Sequence, residues 1–476
     1  MDVTAHAFKD NAKTALADAQ LQRALSGLKG GLVAQRTAAR ERLPEFEALR
    51  DVGRDIKNHT LANLDLYLEA WETKAKAAGA HVHWAPTAAD AREIVLDICR
   101  QANARIVTKG KSMVSEEIGL NAHLQGQGME VVETDLGEYL VQIRKETPSH
   151  IIAPAIHLTQ EQVEADFRRV HTHLPKNRVL VEPPQLVDEA RKILREKFIK
   201  ADVGITGANF LIAETGSSVI VTNEGNGDLT QSLAKVHVVI TSIDKVVPTL
   251  EDVSTLIRLL ARSATGQEIS TYTTFSTGPR RPGDPDGPEQ YHVVVLDNGR
   301  SALLGTPYRE ALRCIRCGAC MNHCPVYGAV GGHAYGWVYP GPIGAVINPA
   351  LIGLKEAAPL PHASTFCGRC ESVCPMKIPL PKLMRDWRTQ DFADGGGGAG
   401  ARFGLKVWAA LAKRPRLYHL AMRMGIAALG AAGRIKGGAF RSLPLAGGWT
   451  RHRDMPAPQG RTFQQLWAEA KAGVPR

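Results

Sequence analysis

Much is missing from this 476-residue chain, and each absence excludes something. No stretch approaches the roughly 20 apolar residues that a membrane-spanning helix requires; the longest charge-free run near the end, Met424 to Gly433, is far too short. The opening residues lack the basic start and apolar stretch of a secretory signal, so a cytoplasmic, reducing location is expected. Gly225 and Gly227 are not followed by the third glycine of a dinucleotide fingerprint, and Thr108 to Ser112 lacks the spacing of a P-loop, so no nicotinamide or flavin site is legible. Cysteine is scarce as well: outside residues 314 to 374 there is only Cys99, placed in a predicted helix with Ile94, Val95 and Ile98, where a small hydrophobe belongs in the core. Acidic residues all but vanish after residue 400. Asp454 and Glu469 stand against fourteen Lys and Arg, so residues 401–476 carry +12 and the remainder of the chain −2.

What is present is concentrated in one stretch. Seven of the eight cysteines fall in two groups, each closed by a Cys-Pro step. The first reads Cys314-Ile-Arg-Cys317-Gly-Ala-Cys320-Met-Asn-His-Cys324-Pro325, the C-x2-C-x2-C-x3-C-P run of a cluster-binding ferredoxin. Three thiolates two residues apart wrap the corners of one Fe-S cube. The fourth, after a longer gap and pinned by proline, is directed to another cluster. The second group reads Ser364-Thr-Phe-Cys367-Gly-Arg-Cys370-Glu-Ser-Val-Cys374-Pro375. Aligned on the Cys-Pro steps, Ser364 stands where Cys314 stands in the first group. Crossed ligation then gives one [4Fe-4S] cluster to Cys314, Cys317, Cys320 and Cys374, and leaves Cys324, Cys367 and Cys370 for the other.

Three readings of the second site stay open: a [3Fe-4S] cluster, a [4Fe-4S] cluster whose fourth iron takes the Ser364 oxygen or another non-cysteine ligand, and a labile cluster with an open iron. The four-iron reading is preferred because Ser364 occupies a ligand position. A disulfide framework belongs to small secreted chains. Structural zinc with His323 or His362 would leave the x3-Cys-Pro endings unexplained.

Around this stretch the chain divides into a helical region (1–74), an α/β domain (75–300), a two-cluster helical domain (301–392) and a basic tail with short helices (393–476). In the α/β part, strands are expected at 81–85, 105–108, 129–133, 150–155, 236–240 and 293–296, and helices at 88–102, 113–125 and 249–263, giving a mainly parallel sheet. Residues 204–227 read as a hairpin with a turn at Glu214-Thr-Gly-Ser. Glu214 and Glu224 are candidate cleft carboxylates, and the Thr108–Ser112 loop, with Lys109 and Lys111, is a candidate anion cradle. A helix is expected near 343–357, a flexible linker at 394–400 and amphipathic helices at 403–412 and 418–428. The basic tail suits an acidic partner subunit or anionic lipid headgroups; nucleic acid is not expected as a partner.

With these motifs in place, the chain resembles the lactate-utilisation iron-sulfur protein B family, through Thr206-Gly-Ala-Asn-Phe, Ala213-Glu-Thr-Gly-Ser, Asn223-Glu-Gly-Asn and the segment from Cys314 through Tyr335-Gly-Trp to Pro379-Leu-Pro. The resemblance implies a NagB/RpiA/CoA-transferase-like (LUD) α/β fold followed by a helical two-cluster ferredoxin fold, with the gap at Ser364 part of the family pattern. It implies an electron-transfer subunit of an L-lactate oxidising system, with two other subunits (a cysteine-rich-domain protein and a second LUD protein) and an electron acceptor of unknown identity. Hydride abstraction would then lie in a partner, and no catalytic residue is assigned to this chain. A redox-responsive small-anion-binding protein and a transferase acting through Glu214 or Glu224 are the alternatives.

Overall fold

The computed structural model describes residues 3–110, 112–443, 447–450 and 453–472. It forms two compact units, Met1–Asp394 and Gly395–Arg476. The strands of the first unit are β1 (His81–Ala85), β2 (Ile106–Gly110), β3 (Glu130–Glu133), β4 (Val203–Gly207), β5 (Phe210–Ile212), β6 (Ser217–Thr222), β7 (Val236–Ser242), β8 (Val246–Val247), β9 (Tyr272–Ser276) and β10 (Gln290–Leu296). Six of them make an all-parallel sheet in the order β1-β10-β7-β4-β2-β3. Parallel strands covered on both faces read as continuous apolar runs, and β4 and β7 are buried from end to end. The expected hairpin is β5 paired antiparallel with β6, inside a second sheet ordered β8-β5-β6-β9. Its turn needs glycine twice over: Gly216 has φ +75°, and a Cβ there would lie 2.4 Å from Ala75 N.

Helices flank the parallel sheet. Thr87 with Asp90, and Thr249 with Asp252, form capping boxes that start the helices Ala88–Gln101 and Leu250–Ala264. Cys99 is fully buried in the first of these, its thiol pushed up to about 12 by burial. Ahead of the sheet, the helix Leu64–Ala77 packs Leu64, Leu68 and Trp71 onto the α/β core, while Phe8, Leu25, Phe46 and Leu49 join the core around the cysteine loops.

Three expected elements differ. The single helix over 113–125 is two, Met113–Glu117 and Leu120–Gln125, because Gly119 turns the chain at φ +65°. That break lets Glu117 face inward to Arg300. The helix near 343–357 runs Gly341–Leu351 and restarts at Leu354 after Gly353, at φ +89°. Residues 150–155 are not a strand but an irregular strap. His150 is buried, and its Nδ1 accepts hydrogen bonds from Ile152 N (3.1 Å) and Ala153 N (3.2 Å). The ring therefore carries its proton on Nε2 and donates it to Asn322 Oδ1 at 2.8 Å. Tyr327 donates to the Ser149 carbonyl at 2.7 Å, so the strap is tied to the cysteine region, and its backbone polar groups are satisfied there instead of in a sheet.

The buried His150 makes a pH prediction. Burial lowers its pKa from 6.5 to about 4, so below 6.5 the unfolded chain takes a proton that the folded one refuses. Stability should fall by about 2 kcal/mol between pH 7 and pH 5 from this group alone. Urea midpoints of wild type and His150→Asn should show a steeper pH slope in the wild type.

The second unit contains helices Ala399–Ala412 and Pro415–Ile435, longer than expected, a two-stranded pairing of Ala439–Phe440 with Met455–Pro456, and helix Phe463–Ala472. Phe403, Trp408, Leu420 and Met424 are exposed on it. Among the described residues, no helix is long and apolar enough to cross a membrane.

Candidate metal centre

The two cysteine groups fold as a repeat. Arg316 and Phe366, both non-glycine, adopt φ +60° and +52°. Gly318 and Gly368, at φ +74° and +77°, precede the short helices Ala319–Asn322 and Arg369–Val373. The left-handed residues curl each loop so that successive side chains point to one centre. Cys314 Sγ accepts from Arg316 N at 3.4 Å, and Ser364 Oγ accepts the equivalent bond from Phe366 N at 3.1 Å. The serine thus holds the conformation of the cysteine it replaces.

Electrostatic neighbours sort the thiols. Burial and then Cys374 and Cys314 push Cys317 up to about 12. Cys320 is raised by burial, then by Cys314, Cys317 and Cys374, with Cys370 of the other set last. Burial and then Cys324, with a lesser share from Cys367, push Cys370 up to about 12. Cys314, Cys317, Cys320 and Cys374 line one narrow cavity together with Ile343, Met376 and Leu380. The first set is largely buried. Of the second, Cys370 is buried, Cys324 half-buried and Cys367 exposed, its thiol lowered chiefly by the Arg369 backbone N–H. All seven are free of disulfides.

These donors fit a polynuclear iron-sulfur group and not a single zinc ion. Tetrahedral zinc with Zn–S of about 2.3 Å holds its sulfurs about 3.8 Å apart. Among the described residues, the only three His, Cys, Asp or Glu side chains with ligand atoms within 4.8 Å of one another are Glu146, His157 and His333. No three of the seven thiols come that close to one another, as befits the corners of a larger cage. His323 turns its Nδ1 to the Ala319 carbonyl at 2.9 Å, and His362 is exposed.

Positive charge surrounds the first set. Arg50 donates to the Cys374 carbonyl from Nε (3.0 Å) and Nη2 (2.6 Å), Arg36 to the Val373 carbonyl at 2.7 Å, and Lys245 to the Cys314 carbonyl at 3.2 Å. Burial brings Lys57, beside Asp244, down to about 8. Such cations offset the net negative charge of a thiolate-ligated cluster, and spacing alone did not reveal them; the signal available was a set of basic residues inside apolar helices.

Other candidates fare differently. Lys109 is fully buried on Glu116 and Glu133 (2.7 Å to the latter), so the Thr108–Ser112 loop is not an anion cradle built on that lysine. Lys111 lies outside the described residues. Glu214 accepts from Leu250 N at 2.9 Å, which ties one of its oxygens to the start of a helix, and it is not among the residues that line a cavity at the end of β6. Glu224 lines the mouth of that cavity. As a control on the assignment, Cys99→Ala should lower stability by about 1 kcal/mol or more yet leave the iron content of the purified protein unchanged.

Three family models match in succession: the LUD domain over 68–296, a 4Fe-4S dicluster domain over 310–378, and the C-terminal region of lactate utilisation protein B over 393–472. Lactate utilization protein B of Bacillus velezensis is 42% identical over 98% of both chains. The protein of the same name from Bacillus subtilis is 41% identical over 98% of this chain and 97% of its own. An Escherichia coli protein named as an uncharacterized electron transport protein, YkgF, is 40% identical over 98% and 97%. By these full-length likenesses and the dicluster domain at its centre, the chain belongs to the lactate utilization protein B family of iron-sulfur proteins.

Proposed function

We propose that this protein is the electron-transfer subunit of an L-lactate oxidising complex, serving lactate use as a carbon source, and not by itself the catalytic subunit. The observation that carries this is the gathering of seven cysteines into a largely buried set of four and a more exposed set of three, with Cys374 of the second group lining one cavity with Cys314, Cys317 and Cys320 of the first. Cys314, Cys317, Cys320 and Cys374 would hold a [4Fe-4S] cluster, and Cys324, Cys367 and Cys370, with Ser364 as candidate fourth ligand, a second [4Fe-4S] or a [3Fe-4S] cluster. Such clusters supply one-electron steps into which the two electrons released by oxidising lactate to pyruvate can be drawn in turn. Arg36, Arg50 and Lys245 would stabilise the added negative charge, and Ile343, Met376 and Leu380, which line the same cavity, would keep water from the inner set. The exposed Cys367 marks the face toward a partner. The partners fitting this reading are a cysteine-rich-domain protein and a second LUD protein, with an electron acceptor beyond them. The basic tail, with its exposed Phe403 and Trp408, suits an acidic subunit or peripheral contact with the inner face of the membrane, from a cytoplasmic location.

Anaerobic purification with iron and sulfide counting tests the assignment: about eight irons per chain are expected for two cubes, about seven for a mixed pair. Zinc, or no metal beyond trace, would refute it. Lactate should reduce the protein rapidly only when the partner proteins are added. Ser364→Cys should retain about eight irons and slow their loss in air. If Ser364→Ala matches wild type in iron and in EPR spectrum, Ser364 is not a ligand.

A further inference from the structure

A cavity of about 260 Å³ opens where β4 and β7 end at their carboxyl edge, the usual place for a ligand in a parallel α/β sheet. One wall is the α/β domain, with Gly207 ending β4 and Ala208 and Asn209 following it. The facing wall is the first cysteine loop, through Ile315 and Arg316. Ile151 of the strap, with Ile315 and Arg316 of the first cysteine loop, lines both this cavity and the narrow one that holds Cys314, Cys317, Cys320 and Cys374, so the two spaces share a wall.

Arg316, Lys245 and Asn209 bring donors to this cavity, Ser112, Thr222, Asn223, Thr265 and Ser270 add further polar groups, and Glu224 is the one carboxylate among its lining residues. Arg316 lies over the Tyr339 ring, 4.3 Å from its centroid, and its Nη1 is buried with no hydrogen-bond partner among the described residues. A buried charged donor left without an acceptor is costly. Lys245 is buried, and its Nζ lies 3.4 Å from Asp244 Oδ2. Asn209 already spends its Oδ1 on Val221 N (2.9 Å), which leaves its amide hydrogens. Much of the remaining lining is aliphatic, from Ile152, Ile220, Leu260 and Ala264. Donors set in an aliphatic pocket select an acceptor-bearing anion with a short hydrocarbon body.

We propose that this cavity binds a small monocarboxylate, with the carboxylate on Arg316 beside Lys245. This deepens the electron-transfer reading, and it rests on that reading in one respect: the assignment of Cys314 as a ligand. Lys245 bonds the Cys314 carbonyl, and the Arg316 guanidinium, like Lys245, has Cys314 among its electrostatic neighbours, so a bound anion offsets two cations close to that ligand. Negative charge added there disfavours reduction. By linkage, the carboxylate then binds more tightly to the oxidised protein than to the reduced one.

The test is calorimetry on anaerobic full-length holoprotein, with L-lactate, pyruvate, propionate and inorganic phosphate as probes, before and after dithionite reduction. One saturable carboxylate site per chain is expected, several-fold weaker after reduction, with phosphate much weaker than the carboxylates. Arg316→Gln should weaken binding at least tenfold. So should Ala264→Leu, which narrows the cavity from the α/β side, away from the cysteine loop, with iron content unchanged. Absence of saturable carboxylate binding in protein of full iron content, phosphate binding equal to that of the carboxylates, or undiminished binding in Ala264→Leu would each overturn the proposal. Lactate-dependent reduction without carboxylate binding to this chain refutes only the cavity site. Carboxylate binding without any lactate-dependent reduction in the presence of the partners refutes only the electron-transfer role.

Discussion

Cys317→Ala is expected to lower the iron content from about eight per chain to about four and to cut lactate-dependent electron flow through the assembled complex by more than about 100-fold, since even partners behind a metal ligand are worth 10–100-fold. The informative companion is Cys374→Ala. In sequence Cys374 belongs with Cys367 and Cys370, but in the structure its thiol lies with Cys314 and Cys317. Its loss should therefore erase the same EPR signal as Cys317→Ala, and Cys324→Ala should erase the other. If Cys374→Ala instead removes the signal that Cys370→Ala removes, ligation is not crossed and the assignment of both centres fails.

Arg300→Met is expected to destabilise the first unit by about 3–5 kcal/mol, the range for breaking a buried ion pair by deleting one partner. Arg300 is fully buried. Its Nη1 and Nη2 reach Glu117 at 2.9 and 2.5 Å, and its Nε lies 3.2 Å from Asp244 Oδ1. Tyr339 donates to Glu117 at 2.6 Å and Asn298 at 2.8 Å. Methionine would fill most of the space but leave the buried Glu117 without its cation and Asp244 with Lys245 in place of two partners. The guanidinium and its neighbours hold Glu117 below its usual 4.5 despite burial, and Lys245 and Arg300 hold Asp244 far below 3.8. Because both carboxyls are depressed in the folded state, their contribution is fully present above about pH 4.5 and is lost as the pH falls through their folded values. Guanidinium midpoints at pH 7 should show the full loss in Arg300→Met, and the gap to wild type should narrow as the solution is acidified. Arg54→Ala, which removes surface pairs with Asp51 and Asp55, should cost no more than about 1 kcal/mol.

The parts of this architecture written in local pattern were legible from the sequence. Spacing alone places the seven cysteines, and alternation of apolar runs with capped helices places the parallel sheet. The turn at Gly216 is visible as a glycine between two strand-like segments. What escaped depends on contacts distant in sequence. The strap at 150–155 has the composition of a strand, and only the Asn322 and Tyr327 side chains reaching it from the cysteine region show why it is not one. Lys109 looks like an anion ligand until Glu133, two dozen residues away, takes it. Arg316 occupies an unconstrained position within a C-x2-C step. Its value as a donor comes from the wall that faces it, formed more than ninety residues earlier in the chain.

The unequal shelter of the two thiol sets has a practical corollary. Cys367 stands at the rim while Cys317 and Cys320 are enclosed, so chelators and dioxygen reach the outer trio first. Material handled on the open bench would shed that metal early and still look brown and folded. It would pass for a single-centre protein, whose apparent stoichiometry records its exposure history instead of its native composition.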